Sequence, residues 1–195
     1  MRPMKSLLLF VAALVVFAPH ADAAPKKKKY HFELTKVLTK PEVKPDVAKE
    51  AQPRIEAVFK KALESHPQLV LDVTGAPDPD SNAAGYRKFL TKKGISGAYL
   101  VTVEVTEASI EIVPLEDKKN TQRISVTVAL HVLGETIPGR TMGFTGDGRA
   151  TVKQEVGMKI RDKDRQFTWD SAAETAVANA LKECFTKLSL PPKKQ

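Results

Sequence analysis

The sequence predicts an α+β fold: an α/β sandwich in which about three helices pack on one mixed, largely antiparallel sheet. Three segments repeat apolar residues at spacings of three and four, which is typical of helices with one buried face. Other segments alternate apolar and polar residues, which is typical of half-buried strands. The 195-residue chain is 42% hydrophobic, 28% charged and 6% aromatic, an ordinary globular composition that excludes collagen-like and wholly disordered proteins.

The fold is expected to open with a strand and a helix. Tyr30 and Phe32 alternate with polar residues, which predicts a strand over residues 29–38. Residues 46–66 have an apolar stripe at helical spacing. The regular helix is expected to begin near Pro53, because the first turn of a helix tolerates a missing N–H.

A second strand and a second helix follow. Residues 69–73, Leu-Val-Leu-Asp-Val, are apolar except for Asp72, which predicts a short strand buried on both faces and central in the sheet. Residues 81–93 have a weaker apolar stripe that contains Gly85 and ends before Gly94, and a helix is expected there.

The segment over residues 99–152 is predicted to be a meander of antiparallel strands. A turn near Glu107 and Ala108 is expected to separate the first two strands. Asp147 lies among closely spaced glycines, which predicts a bulge or tight turn near it. The four alternating segments are residues 99–105, 110–112, 124–132 and 142–152.

The last predicted element is a helix whose apolar stripe runs from Trp169 to Leu188. Ser171 and Glu174 have the spacing of a capping box at its start. Many alanines lie on the buried face, so this helix can lie close to a sheet. Cys184 is on the same stripe and is expected to be a buried, inert core residue.

The N-terminus has the pattern of a secretory signal peptide over residues 1–23. Basic residues precede an apolar run of about thirteen residues, which is shorter than the roughly twenty that a membrane-spanning helix needs. Cleavage is expected between Ala23 and Ala24, with a membrane-retained signal as the alternative. No cysteine near this site could accept a lipid, so the mature protein is expected to be periplasmic or secreted and to have no transmembrane anchor.

The mature chain is predicted to begin with a basic segment, residues 24–29, followed by one globular domain over 30–190 and a tail over 191–195. The chain has a formal net charge of +8. Four of the positive charges belong to the candidate polyanion contact formed by Lys26, Lys27, Lys28 and Lys29. The alternative is a solvated, frayed terminus. No aromatic residue alternates with these lysines, so a nucleic-acid partner is not expected.

The sequence predicts no metal site at its acidic turn. Asp78, Asp80 and Asn82 have the spacing of the first ligands of a calcium-binding loop. Ala83 replaces the glycine that such a loop needs, and Phe89 replaces its bidentate glutamate. A turn is the preferred interpretation, because Asp, Asn, Ser and Pro favour turns.

No catalytic or cofactor site is predicted either. Ser96 lies in a motif similar to a nucleophile elbow, but Ala98 replaces its last glycine, and Ser96 is expected in a loop. His31, His66 and His131 are predicted on separate elements without the spacing of metal ligands, so no metal is expected there.

Two segments resemble a known family. Residues 97–101, Gly-Ala-Tyr-Leu-Val, open a strand after a short helix, and residues 173–188 form an alanine-spaced final helix. With the element order over most of residues 30–188, they resemble the periplasmic domain shared by penicillin-binding-protein-activator lipoproteins and the curli secretion channel. The resemblance implies a role in the cell envelope and no particular functional residue. This chain departs from the family because it lacks the lipid-anchor cysteine.

We therefore expect an exported, soluble, non-catalytic envelope protein. It would be a binding or assembly module that docks on a protein or polymer partner through its sheet edge or a helical face. One alternative is a small secreted hydrolase whose dispersed carboxylates meet only in the folded chain. The other is a polyanion binder tethered by the lysines at 26–29.

Overall fold

The computed structural model describes residues 27–190. The predicted signal peptide, its cleavage site between Ala23 and Ala24, Lys26 and the tail at 191–195 lie outside the described residues. The helices and strands, in chain order, are β1 Lys29–Thr39, α1 Pro45–Glu64, β2 Leu69–Val70, α2 Ala83–Lys92, β3 Ile95–Pro114, β4 Thr121–Thr136, β5 Met142–Gly157 and α3 Asp162–Lys187.

The five strands form one mixed sheet in the order β2-β1-β3-β4-β5. Strand β1 is parallel to both of its neighbours, β2 and β3, while β4 is antiparallel to both of its neighbours, β3 and β5. Three helices pack on this sheet, so the predicted α+β class is confirmed. In the described part of the chain, no helix is long and apolar enough to cross a membrane.

Helices α1 and α3 cover one face of the sheet and enclose the main core. Trp169 of α3 is the largest fully buried side chain. Helix α2 packs on the other face at the start of β3, where Tyr86 and Leu90 meet Ile95 and Ala98 in a second, smaller cluster. The apolar residues that α1 buries are Val47, Ala51, Ile55, Phe59 and Leu63.

Helix α3 lies unusually close to β5. A Cβ atom at Gly148 would collide with the carbonyl oxygen of Ala176, and one at Gly146 would collide with the Cys184 sulfur. The alanines of α3 and the glycines of β5 therefore allow the contact together, as the alanine spacing predicted. The bulge expected near Asp147 is wrong, because β5 keeps a regular register with β4 there.

The turn expected near Glu107 and Ala108 is also wrong. Strand β3 continues through these residues, so the meander has three strands instead of four. A bulge between Val105 and Glu107 shifts the alternation by one residue, and Ala108 then faces the core as Val105 does. A change of phase in the apolar pattern fits a turn or a bulge equally well, and only the pairing with β4 distinguishes them.

The strand predicted as central is an edge strand. Only Leu69 and Val70 pair with β1, and both are half-buried. The chain then turns away from the sheet where the Asp72 carboxylate accepts hydrogen bonds from the Thr74 N–H and hydroxyl. Val70 packs with the α2 cluster and Leu69 with the main core, which explains why the segment is apolar without being central.

Two predicted helix starts are wrong. Helix α1 begins at Pro45, and Pro53 lies inside it on an exposed position, where water can satisfy the carbonyl left without an N–H partner. Helix α3 begins at Asp162, so Ser171 is mid-helix and caps nothing. Its first turn is held by Asp164, which accepts hydrogen bonds from the guanidinium and the backbone N–H of Arg161.

We expect Gly148→Ala to destabilise the fold by about 1–3 kcal/mol, because the new methyl group forces α3 away from β5. Urea denaturation measures the change. Gly157→Ala is the matched control, because a Cβ there meets nothing within 4 Å. Equal stabilities for the two variants would contradict the close helix–sheet contact.

Candidate functional site

Strands β3, β4 and β5 have a polar surface on the side opposite α1 and α3. Gly146 and Gly148 face α3, so the residues that alternate with them in β5 project to the other side. Helix α2 covers this side only near the start of β3. The remaining surface, named here the open face, has a depression of about 440 Å³ lined by Glu107, Ser109, Glu111, Val113, Leu115, Arg123, Ser125, Thr127, Thr151 and Lys153.

Rows of polar side chains run across the open face from strand to strand. Arg149 reaches over the small side chain of Ala129 and donates two hydrogen bonds to Glu107, one of them 3.0 Å long. The hydroxyls of Thr127 and Thr151 lie 2.9 Å apart. These rows satisfy part of the hydrogen-bonding capacity of the surface and fix its side chains.

His131 and Asp147 form one such row on neighbouring strands. The His131 Nδ1 and Asp147 Oδ1 atoms are 2.7 Å apart, and the Asp147 backbone N–H donates to the Glu183 carboxylate of α3. That N–H, with the ammonium of Lys187, lowers the pKa of Glu183. The sequence did not predict this pair because it depends on the β4–β5 register, which shifts by one residue between Gly134 and Glu135 and so cannot be counted from the turn.

The other predicted histidines lie elsewhere and do not meet His131. His31 is buried, and its Nδ1 lies 2.7 Å from the carbonyl oxygen of Val70. His66 is buried with its ring 4.5 Å from the ring of Phe185. Over residues 27–190, no three metal-binding side chains form a group that could hold a metal ion.

The outer edge of β5 is covered along only half of its length. Helix α3 satisfies three outward backbone groups: Asn179 donates to the carbonyl of Arg149, Lys187 donates to that of Thr145, and Glu183 accepts from the N–H of Asp147. In an antiparallel edge strand every second residue points its N–H and C=O outward. Residues 151, 153 and 155 therefore do the same, and no described residue bonds to those groups. We call residues 151–155 the open edge.

A second depression, of about 450 Å³, lies between α1 and α3. Glu50 accepts two hydrogen bonds from Arg165, and Arg54 donates to Asp170, so ion pairs join the two helices beside it. The Arg165 hydrogen bonds hold the pKa of the Glu50 carboxyl below its ordinary value, with a further contribution from the charge of Arg54. This arrangement fastens two helices together.

Cys184 is fully buried against Gly146, as predicted. Burial raises the pKa of its thiol to about 12. A thiol of this kind is not a nucleophile at neutral pH, because the reactive species is the thiolate.

The acidic turn at residues 78–82 uses its side chains to fold the loop. The Asp78 carboxylate accepts hydrogen bonds from the N–H groups of Asp80 and Ser81, and the Asn82 side chain caps α2 at the N–H of Gly85. The turn interpretation is confirmed. Ser96, expected in a loop, lies in β3 instead.

Three of the four lysines predicted as a polyanion contact lie in the described part of the chain. Lys27, Lys28 and Lys29 are exposed. Lys29 pairs with Ile95 as the first residue of β1, and the Lys28 carbonyl accepts a hydrogen bond from Gln68. The backbones of these two lysines therefore lie beside the start of the sheet, and their side chains are exposed.

Comparison with known proteins gives a distant structural likeness only. No protein-family model and no curated protein matches the chain. Rare lipoprotein B from Shewanella oneidensis is 9% identical, covers 80% of this chain and 96% of its own length, and has a TM-score of 0.40. A minor lipoprotein from Acinetobacter baumannii is 13% identical, with coverages of 86% and 97% and a TM-score of 0.39.

A hypothetical protein from Chlamydia trachomatis is similar at the same level, with 14% identity, coverages of 83% and 94% and a TM-score of 0.40. Scores this low assign neither a family nor a function to this chain. The family resemblance stated from the sequence therefore stays a prediction.

We expect Cys184 to resist a thiol reagent such as DTNB in the native protein and to react fully after denaturation in urea, because its thiol is buried and its pKa is raised. Absorbance of the released thiolate measures the reaction. Rapid labelling of the native protein at neutral pH would contradict the burial of this residue.

We expect Glu50→Gln to cost about 1 kcal/mol of stability at pH 7. Because the folded-state pKa of Glu50 lies below the ordinary 4.5, the wild-type advantage is present above that pH and disappears as the pH falls through the folded-state pKa. Urea denaturation at pH 7 and at stepped lower pH measures it. Glu56→Gln, which removes an exposed pair with Lys60, is the control and should cost less than about 0.5 kcal/mol.

Proposed function

We propose that the chain is a non-catalytic binding module of the cell envelope that accepts an extended protein segment along the open edge of β5. Its location in the envelope rests on the predicted signal peptide. The observation on which the docking mode depends is the division of the β5 edge into a covered half and an uncovered half.

The uncovered half has what strand addition requires. An exposed sheet edge offers N–H and C=O groups in register to a second strand, and main-chain hydrogen bonds supply the affinity. Residues 151, 153 and 155 offer three such pairs of groups. The side chains of Thr151, Lys153 and Glu155 lie on the open face, where they contact a bound segment and select its sequence.

The side chains at the open edge also explain why it does not pair indiscriminately. Charged residues on an edge strand discourage aggregation. Lys153 and Glu155 place one positive and one negative charge two residues apart. Glu155 is already paired with Lys118 and Arg123, whereas Lys153 has no ion-pair partner among the described residues. A segment with an acidic residue opposite Lys153 pairs with it, whereas a purely apolar strand leaves its charge desolvated.

The charges on and around the sheet support a binding role more than a hydrolytic one. Several carboxyl groups have lowered pKa values, each through a hydrogen bond or a basic partner: Glu50, Glu155, Asp164 and Glu183. A general acid needs a raised pKa instead. The hydrolase stays the alternative, and turnover of an envelope substrate by the purified protein would contradict the proposal.

The test is a pull-down from detergent-solubilised envelope with the chain from Ala24 onward and two variants of one residue. Lys153→Pro removes an outward N–H at a position where edge strands tolerate proline. Lys153→Gln removes the same charge and keeps the N–H. We expect Lys153→Pro to lose at least about tenfold of the captured partner and Lys153→Gln to keep most of it, because the main-chain hydrogen bonds dominate.

Circular dichroism and urea denaturation check that both variants keep the fold. A partner that both variants retain equally would exclude the open edge as the docking site. Capture by neither variant, with both folded, would assign the contact to the Lys153 charge and contradict strand addition.

A further inference from the structure

All three helices end at the same end of the sheet, where β1 and β3 begin. Helix α1 ends just before Gln68, whose carbonyl accepts the N–H of Tyr30. Helix α2 ends just before Ile95, the Cα partner of Lys29. Helix α3 ends at Lys187, and the carbonyl of the next residue, Leu188, accepts a hydrogen bond from the hydroxyl of Tyr30. The chain therefore enters and leaves the described domain at this one end.

Lysines far apart in the sequence meet at this end. Lys93 is two residues from Ile95, so its Cα lies within about 12 Å of that of Lys29. One acidic residue, Glu64 in the last turn of α1, lies among these lysines. The exposed lysines, which we name the basic end, are Lys27, Lys28, Lys29, Lys61, Lys92 and Lys93.

The helix dipoles do not cancel this charge. Each helix C-terminus has a partial negative charge of about half a unit. Lys61, Lys92 and Lys187 lie in the last turns of the three helices and offset those partial charges. Lys93 and the lysines at 27–29 are additional. The ion pairs found over residues 27–190 include none of the basic-end lysines.

From this juxtaposition we propose that the basic end binds the anionic lipid headgroups of a membrane surface. The surface combines the lysines of β1 with those of α2, so it is larger than the N-terminal lysine run. In the sequence, Lys26 precedes it directly, and Lys193 and Lys194 follow the last described residue, Leu190, within four positions.

The chemistry of the basic end favours a fluid surface over one fixed phosphate ligand. Every cation of the basic end is a lysine, which acts as a point charge. The arginines of this protein form planar two-point contacts elsewhere, for example Arg149 with Glu107 and Arg165 with Glu50. Neither of the two depressions described above includes a basic-end lysine. Diffuse attraction to many headgroups needs neither a pocket nor the planar two-point contact of an arginine.

The test is sedimentation with vesicles of phosphatidylcholine, with and without about one third phosphatidylglycerol. The chain from Ala24 onward is used, because it contains every helix and strand and the whole core. We expect binding only to the anionic vesicles and its loss at about 0.5 M salt, because salt screens exposed charges. The double variant Lys92→Gln/Lys93→Gln should weaken binding about 25-fold, since each lysine near such a surface contributes about fivefold.

Lys159→Gln/Lys163→Gln is the matched control, because it removes the same charge from exposed positions at the opposite end of the sheet. We expect it to change binding less than about threefold. Equal effects of the two double variants would contradict binding by the basic end. The binding would then be due to the net charge of the protein or to the N-terminal lysine run. Binding to soluble heparin without binding to vesicles would contradict the proposal of a lipid ligand and indicate a polyanionic polymer instead.

This inference is independent of the strand-docking function. Lys153→Pro changes the open edge and leaves the basic end intact, so it should bind anionic vesicles as the unmodified chain does. A Lys153→Pro variant that loses its partner and still binds anionic vesicles supports both proposals. Retained partner capture by this variant contradicts strand docking alone, and failure of the unmodified chain to bind anionic vesicles contradicts the basic end alone.

Discussion

The close contact between α3 and β5 is the constraint on which the rest of the structure depends. Gly146 and Gly148 leave no room for a side chain between strand and helix, and the small Ala176 and Ala180 complete the fit. Trp169 and Phe185, on the same helix, fill the core toward α1 and β1. Because interiors are packed like crystals, moving α3 outward would open gaps along its whole buried face.

The position of α3 also determines which parts of the sheet are accessible. Its Asn179, Glu183 and Lys187 side chains reach the outer edge of β5 and cover one half of it. Toward its N-terminus the helix is held to α1 instead, through Glu50 and Arg165. The open edge is therefore a consequence of how one helix divides its contacts between the sheet and its helical neighbour.

Charge is distributed along the molecule in two different ways. On the open face, several acidic and basic side chains form ion pairs, such as Glu107 with Arg149 and Glu155 with Lys118. Near the chain ends, lysines gather without acidic partners among residues 27–190. Surfaces with paired charges of both signs suit selective contact with another protein. A surface whose charges are nearly all positive instead attracts an anionic surface over a longer range.

Local periodicity in the sequence was enough to predict the α+β class, the bounds of β1 and α2 to within two residues, the ends of α1 and α3 but not their starts, and the burial of Cys184, because it reports which face of an element is apolar. Tertiary contacts were needed to show whether residues 107–108 turn or bulge, whether residues 69–70 lie at the centre or the edge, and which residues meet at the open edge and the basic end. These depend on strand register and on helix direction, which join residues far apart in the chain. The pairing of His131 with Asp147 and the approach of Lys93 to Lys29 leave no local pattern, since each follows from where two separate segments come to lie in the sheet.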